Sequence, residues 1–164
     1  MPLVTVAPLV PIEDLPKLLA PQVRLLGLDV GTKTIGMALS DVTRSVATPY
    51  DTVRRTKFTE DAKAIEAAIE EHHVGAVVIG LPLNLDGSEG PRAQSTRAFA
   101  RNLAVCIEVP ILFWDERLST AAVERHLIEA DASRKRRAEV IDKMAAAYIL
   151  QGALDRLKRL GELG

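Results

Sequence analysis

One cysteine, one tryptophan, two tyrosines, three phenylalanines and three histidines in 164 residues leave little for several kinds of chemistry. With Cys106 alone there is no intrachain disulfide and no cysteine cluster for zinc, and its place in the apolar run LAVCIEVP reads as core filling. His72 and His73 are neighbours, so on a helix they point about 100° apart and cannot share a metal; His126 falls in a polar stretch. Aromatics make up only 4% of the chain, which is poor material for a platform that stacks single-stranded bases. The formal net charge of -1 excludes a globally basic protein, so any contact with nucleic acid has to come from local patches. No apolar run approaches the ~18 residues that cross a bilayer. Prolines 2, 8, 11, 16 and 21 interrupt the N-terminal stretch, and no basic residue precedes its apolar part, so neither a signal peptide nor a membrane span is expected. The expectation is a soluble protein of a reducing cytoplasm.

What is present is a chain 48% hydrophobic and 26% charged. That composition fits one domain, long enough to bury about 70% of the surface its unfolded chain exposes. Residues 1–22 read as a proline-rich extension, extended or laid against the domain, which begins near Val23 and runs to about residue 160. VRLLGLDV has the near-continuous apolar character of a strand covered on both faces. IGMALSD follows after the tight turn GTKT, and ATPYDTV supplies a third strand, so an antiparallel meander opens the fold. Ala62, Ile65 and Ile69 then recur at helical spacing behind Thr59 as N-cap. VGAVVIGLP is a buried strand, LPLNLDGSEG a turn-rich loop, and a second helix starts at Pro91 with Phe99, Leu103 and Ile107 inward. VPILFW is a further buried strand, SerThr after DER caps a third helix through Val123 and Leu127, and a last helix spans about 137–159. The class is α/β, a mixed sheet with helices on both faces.

Two of the buried strands, LLGLD and ILFWDE, end in acid. In open α/β sheets the crevice lies beyond the carboxyl ends of strands, where Asp29 and either Asp115 or Glu116 can meet. Asp142 shares a helical stripe with Ala145, Ala146, Ile149 and Ala153, the small-residue face that packs on a sheet. The plainer reading of Asp142 is an acid near a helix N-terminus, favoured by the macrodipole. Three carboxylates in one crevice repel one another unless a cation sits among them. All-oxygen ligands favour Mg2+ or Mn2+ over zinc, and such a cluster suits hydrolysis of a phosphodiester.

DVGTKTIGMALSD, VVIGLPLNLDGSEGPRAQ, WDERLST and EVIDKMAAAYILQGAL, in that order, resemble the YqgF (RuvX) family over roughly residues 24–158. The resemblance implies a ribonuclease-H-like, five-stranded mixed sheet related to Holliday-junction resolvases, and a metal-dependent nuclease acting on pre-16S ribosomal RNA. It implies catalytic and metal-binding roles for Asp29, Glu116 and Asp142, with Asp115 in reserve for the middle position. One departure is Thr34, where the family often has arginine; it leaves Lys33 as the nearest cation of that turn.

Positive charge is local. SRKRR sets Arg134, Lys135, Arg136 and Arg137 before the helix that carries Asp142, and Arg92, Arg97 and Arg101 lie along the second helix. Arg117 can orient a carboxylate or hold a phosphate. Asn84, Asp86, Gly87 and Ser88 are explained by turn chemistry, with substrate contact by Asn84 strengthened by the resemblance. The expected substrate contacts are therefore Lys33, Asn84, Arg92, Arg117, Lys135 and Arg136, and the expected partner is pre-rRNA or branched DNA, bound by a monomer or a homodimer. A resolvase would need two sites in fixed relation. An ATP-binding reading of Asp-x-Gly-Thr needs a second domain, and a purely RNA-binding factor gains nothing from clustered acids.

Overall fold

The computed structural model describes residues 7–118 and 134–163. Strand β1 (Arg24–Val30) is buried along nearly its whole length, as its unbroken apolar sequence requires. The turn after Val30 returns the chain into β2 (Thr34–Ser40), and β3 (Ala47–Arg54) completes the meander at a half-exposed edge. Pro49 is tolerated there because β3 is an edge strand with a bulge, opposite Met37 and Ala38. Helix α1 (Phe58–Glu71) leads to β4 (Val74–Leu81), and α2 (Pro91–Ala104) leads to β5 (Ile111–Asp115). A short 3-10 turn, Glu116–Leu118, follows β5, and α3 (Arg134–Leu163) is the last described element.

The sheet order is β3-β2-β1-β4-β5, with β4 parallel to both β1 and β5. Leu26, Leu28 and Val30 face α1 and α2, through Ile65, Phe99 and Leu103. Leu25, Ala38, Val78, Leu112 and Trp114 face α3, through Ala146, Ile149, Leu150 and Ala153. The mixed sheet with a helical layer on each face is thus as its sequence foretells. Small residues let α3 lie close: a Cβ on Gly27 would stand 2.8 Å from the Cβ of Leu150, and one on Gly152 would stand 2.8 Å from Trp114 Nε1.

Residues 7–22 lie against this frame. Ile111 donates its N–H to Pro8 (2.9 Å), Val10 donates to Ile111 (3.0 Å), and Leu9 pairs with Ile111 in the parallel sense. A 3-10 turn, Ile12–Lys17, then inserts Leu15, fully buried, into the α3-side core. No helix among the described residues is long and apolar enough to cross a membrane.

Three local expectations need correcting, and one cannot be compared. Thr59 is not the N-cap of α1: Lys57 occupies the cap, and buried Asp61 accepts the N–H of Thr56 at 3.2 Å instead. Cys106 is exposed, because α2 ends at Ala104 and the following turn directs Ile107, three residues beyond the helix, inward in its place. The basic run from Arg134 opens helix α3 rather than forming a loop before it. The expected helix through Val123 and Leu127, and His126, lie outside the described residues.

Candidate active site

Alternation along β1 puts Leu25, Gly27 and Asp29 on the α3 face, and Asp29 is buried, 3% exposed, at the carboxyl end of the strand. Its antiparallel partner across the ladder is Gly36. Opposed residues of a ladder share a face, so whatever rests on Gly36 rests beside Asp29. What rests there is Asp142: a Cβ on Gly36 would fall 1.9 Å from the Asp142 carbonyl oxygen. Helix α3 therefore touches β2 backbone to backbone, and Gly36 is what permits it. From the same strand, the Thr34 hydroxyl donates a hydrogen bond to Asp142 Oδ2.

Glu116 reaches the same corner from the other side. Leu28 is level with Ile79 of β4, so the next pair along the parallel ladder sets Asp29 beside Gly80. A Cβ on Gly80 would stand 2.9 Å from Glu116 Oε1 and 2.4 Å from Ile149 Cδ1. The bare glycine is the floor on which the Glu116 carboxylate and α3 both rest. Three acids from three distant parts of the chain thus share one face and one end of the sheet.

Asp115 does something else. Leu112 and Trp114 point toward α3, so Asp115 points away from it. Its carboxylate is gripped by Arg117, whose Nη2 stands 2.7 Å away and whose Nε stands 3.1 Å from both oxygens. The hydrogen bonds from the Arg117 side chain, and then from its backbone N–H, hold Asp115 below the usual carboxylate range. The geometry favours Glu116 over Asp115 as the acid turned to the corner.

The donors at the corner are carboxylate and hydroxyl oxygens, the kind that hard divalent cations take. Among the described residues, however, no three of His, Cys, Asp and Glu close to the spacing of ligands around one ion. The acids share a corner without forming a finished chelate. Asp142 is eight residues into α3, more than two turns past Arg134 and beyond the first turn where a helix dipole acts, so the dipole does not explain it.

The expected substrate contacts divide. Lys33 sits in the turn between β1 and β2. Arg92 lines a hollow of about 230 Å³ with Gly31, Thr32 and Ser95, where α2 begins. Arg117 is occupied by Asp115 and by the Leu85 carbonyl at 3.2 Å, so it braces a loop rather than offering a free fork. Asn84 closes that loop, donating to Ser88 Oγ at 3.0 Å. Lys135 and Arg136 lie in the first turn of α3, and their side chains fall outside the described part of the structure. Arg97 is turned to the opposite layer, against Glu89 at 2.6 Å and over the Phe113 ring.

Sequence reading missed Arg55. Its backbone N–H donates to the Lys33 carbonyl (2.8 Å), and Nη1 donates to the Gly31 carbonyl (2.7 Å). The guanidinium also stands 3.8 Å from Asp61 and lies over the ring of Phe99. It fixes the turn that carries Lys33 and leads to Thr34. The hairpin register, in which Thr34 opposes Arg54, was the signal available for it.

A sequence model of the RuvX family, described as Holliday junction resolvase, matches residues 23–156. A protein of Methylocella silvestris is 58% identical over 154 residues, covering 94% of this chain and 96% of the relative. This chain belongs to the RuvX family. A second RuvX relative, from Paramagnetospirillum magneticum, is 67% identical over 132 residues, or 80% of this chain and 85% of its own; both relatives carry the name "Putative pre-16S rRNA nuclease". Two solved structures share the ribonuclease-H-like fold of this RuvX chain at 12% identity. RuvC of T. thermophilus in complex with a Holliday junction substrate gives a TM-score of 0.52, covering 83% of this chain and 96% of its own. The yeast mitochondrial Holliday junction resolvase gives 0.53, covering 92% and 85%.

Proposed function

We propose that this chain is a cytoplasmic endonuclease of structured RNA that trims the 5′ end of pre-16S ribosomal RNA, using Mg2+ or Mn2+ at the corner formed by Asp29, Glu116 and Asp142. The observation that carries this reading is the meeting of β1, β2, β4, the turn after β5 and α3 at that corner, with Gly36 leaving room for the α3 backbone at Asp142 and Gly80 for the Glu116 carboxylate. The names of the 58% and 67% identical relatives support the substrate. We take residues 23–160 as the nuclease domain and 1–22 as its extension.

The chain's own groups have distinct tasks. Asp29, Glu116 and Asp142 would hold the ion; Thr34 orients one oxygen of Asp142, and Arg55 keeps the Gly31–Thr34 turn in place. Lys33 and Arg92, with Lys135 and Arg136 at the start of α3, draw the polyanion to an otherwise acidic corner, so binding weakens steeply with salt. A bound divalent ion supplies an activated water and stabilises charge on the phosphodiester.

The test is cleavage of 5′-labelled pre-16S RNA by the purified protein with Mg2+, with Mn2+ and with EDTA. Asp29→Asn and Asp142→Asn should keep the wild-type circular dichroism and melting temperature yet lose cleavage by a factor of about 10³ or more, since each removes a charge on which the ion depends. Undiminished cleavage in either variant, or in EDTA, overturns the assignment. The family description and the two resolvase folds favour one second reading, cleavage of four-way DNA junctions. That activity requires paired sites, so a monomer in solution that cuts RNA and leaves a matched junction intact excludes it.

A further inference from the structure

Leu85 is 96% exposed, more than any other large apolar side chain among the described residues. Isolated apolar residues on a surface are ordinary, and a mobile loop can turn one away from water. The loop between β4 and α2 has spent that freedom. Gly87 donates its N–H to Asn84 (2.8 Å), closing a turn whose two central residues are Leu85 and Asp86, and Asn84 donates its own N–H to Ser88 (2.9 Å). Gly87 has φ +88°, a conformation that disfavours a side chain, and Asp86 Oδ1 accepts the N–H of Ser88 at 2.9 Å. From outside the loop, Arg117 Nη1 donates to the Leu85 carbonyl at 3.2 Å. Asn84, Asp86 and Ser88 bond to one another, and the Leu85 side chain makes none of these contacts and is left to solvent.

The position matters as much as the exposure. The loop leaves the carboxyl end of β4 just past Gly80, its brace is the residue after Glu116, and it ends at Pro91, which opens α2 next to Arg92. A single leucine covers far too little area to anchor a folded protein, whose interfaces bury on the order of 1,200 Å² or more. It does match the gap between two adjacent bases, where apolar wedges unstack a step and bend the strand.

We propose that Leu85 is a wedge that enters a base step of the RNA next to the scissile phosphate and opens it toward the acid corner. This rests on the nuclease reading and adds to it a residue that selects for a step that can be opened. Leu85 touches substrate but takes no part in bond breaking. Its phosphate-binding neighbours set affinity, and the wedge sets which phosphodiester is presented.

The experiment uses an RNA hairpin carrying the pre-16S 5′ flank, with 2-aminopurine placed at successive stem positions. Full-length Asp142→Asn protein is added first, so that binding is read without cleavage. A rise in fluorescence at one step is expected, and the double variant Asp142→Asn with Leu85→Ser should lose it while its salt-dependent affinity falls no more than a few-fold. In otherwise wild-type protein, Leu85→Ser should lower kcat on the paired step by on the order of tenfold, consistent with the loss of one base contact. Leu85→Met should restore it, and an RNA with an unpaired base at that step should be cut nearly as well by Leu85→Ser as by the parent. Equal fluorescence with and without Leu85, or equal loss on paired and unpaired RNA, overturns the wedge. Failure of the nuclease reading shows separately, as absence of cleavage by a parent protein whose fluorescence response to Leu85 is intact. Since Leu85 is solvent-exposed, its replacement does not threaten folding.

Discussion

A single hydrogen atom where a side chain would be decides how close the third acid comes. Gly36 faces the carbonyl of Asp142 across a gap that no Cβ fits, 1.9 Å from its ideal position. Gly36→Ala must push α3 off β2 or bend the strand, and overpacking of this kind costs about 1–3 kcal/mol, sometimes more. The expected outcome is a melting temperature lowered by several degrees, measurable by calorimetry. Cleavage activity at a temperature well below the melt should fall further than the stability loss explains, because the displaced backbone carries Asp142. Gly161, with nothing within 4 Å of its Cβ position, is the control: Gly161→Ala should leave both quantities unchanged or slightly raise stability, as alanine favours a helix.

At the scale of elements, the turn after β4 and the short turn after β5 act as one unit through Arg117. The carboxylate of Asp115 is held down by the Arg117 side chain first, then by its N–H. A group whose folded pKa is depressed stabilises the fold above its unfolded value and loses that contribution as the pH falls through the lowered one. The brace on residues 82–90 should therefore loosen only in acid, below the ordinary carboxylate range. Arg117→Ala should loosen it at neutral pH, seen as faster amide exchange at Gly87 and Ser88 with the core of β4 unaffected, and as a return of the Asp115 carboxyl toward its ordinary value in an NMR titration. Most elements were legible in the sequence because strand and helix periods were strong: LLGLDV, VVIGL and the Ala145, Ala146, Ile149 stripe each bury the face expected of them. Placing acids at strand ends was legible too, from the chain alone. The choice between Asp115 and Glu116 was not, because it depends on where β5 stops alternating and the 3-10 turn begins. Nor was the task of Thr34, whose partner lies 108 residues away. Cys106 misled because apolar composition does not reveal the residue at which a helix ends.

For the whole molecule, the segment before β1 belongs to the packing. Leu15 is fully buried beside the α3-side core, and the Leu9 bridge extends the β5 edge. Leu15→Ala should cost about 2–5 kcal/mol, the range for a buried leucine in a core that collapses only partly around the gap. Urea denaturation gives the number; a loss below about 1 kcal/mol would mean that the segment merely rests on the surface. The acid corner should survive in that variant, because the ladder that pairs Asp29 with Gly36 lies between β1 and β2 and does not include the segment.

The reach of helix α3 across the sheet also bears on timing during synthesis. Translation delivers Asp29 early, Glu116 later and Asp142 last, and until α3 has left the ribosomal exit tunnel the face bearing Leu25, Val78 and Trp114 has only the segment around Leu15 against it. A nascent chain at that stage has two of its three acids and none of the helix that closes them in. On the reading proposed above, the nascent chain gains cleavage activity only once α3 has joined the sheet.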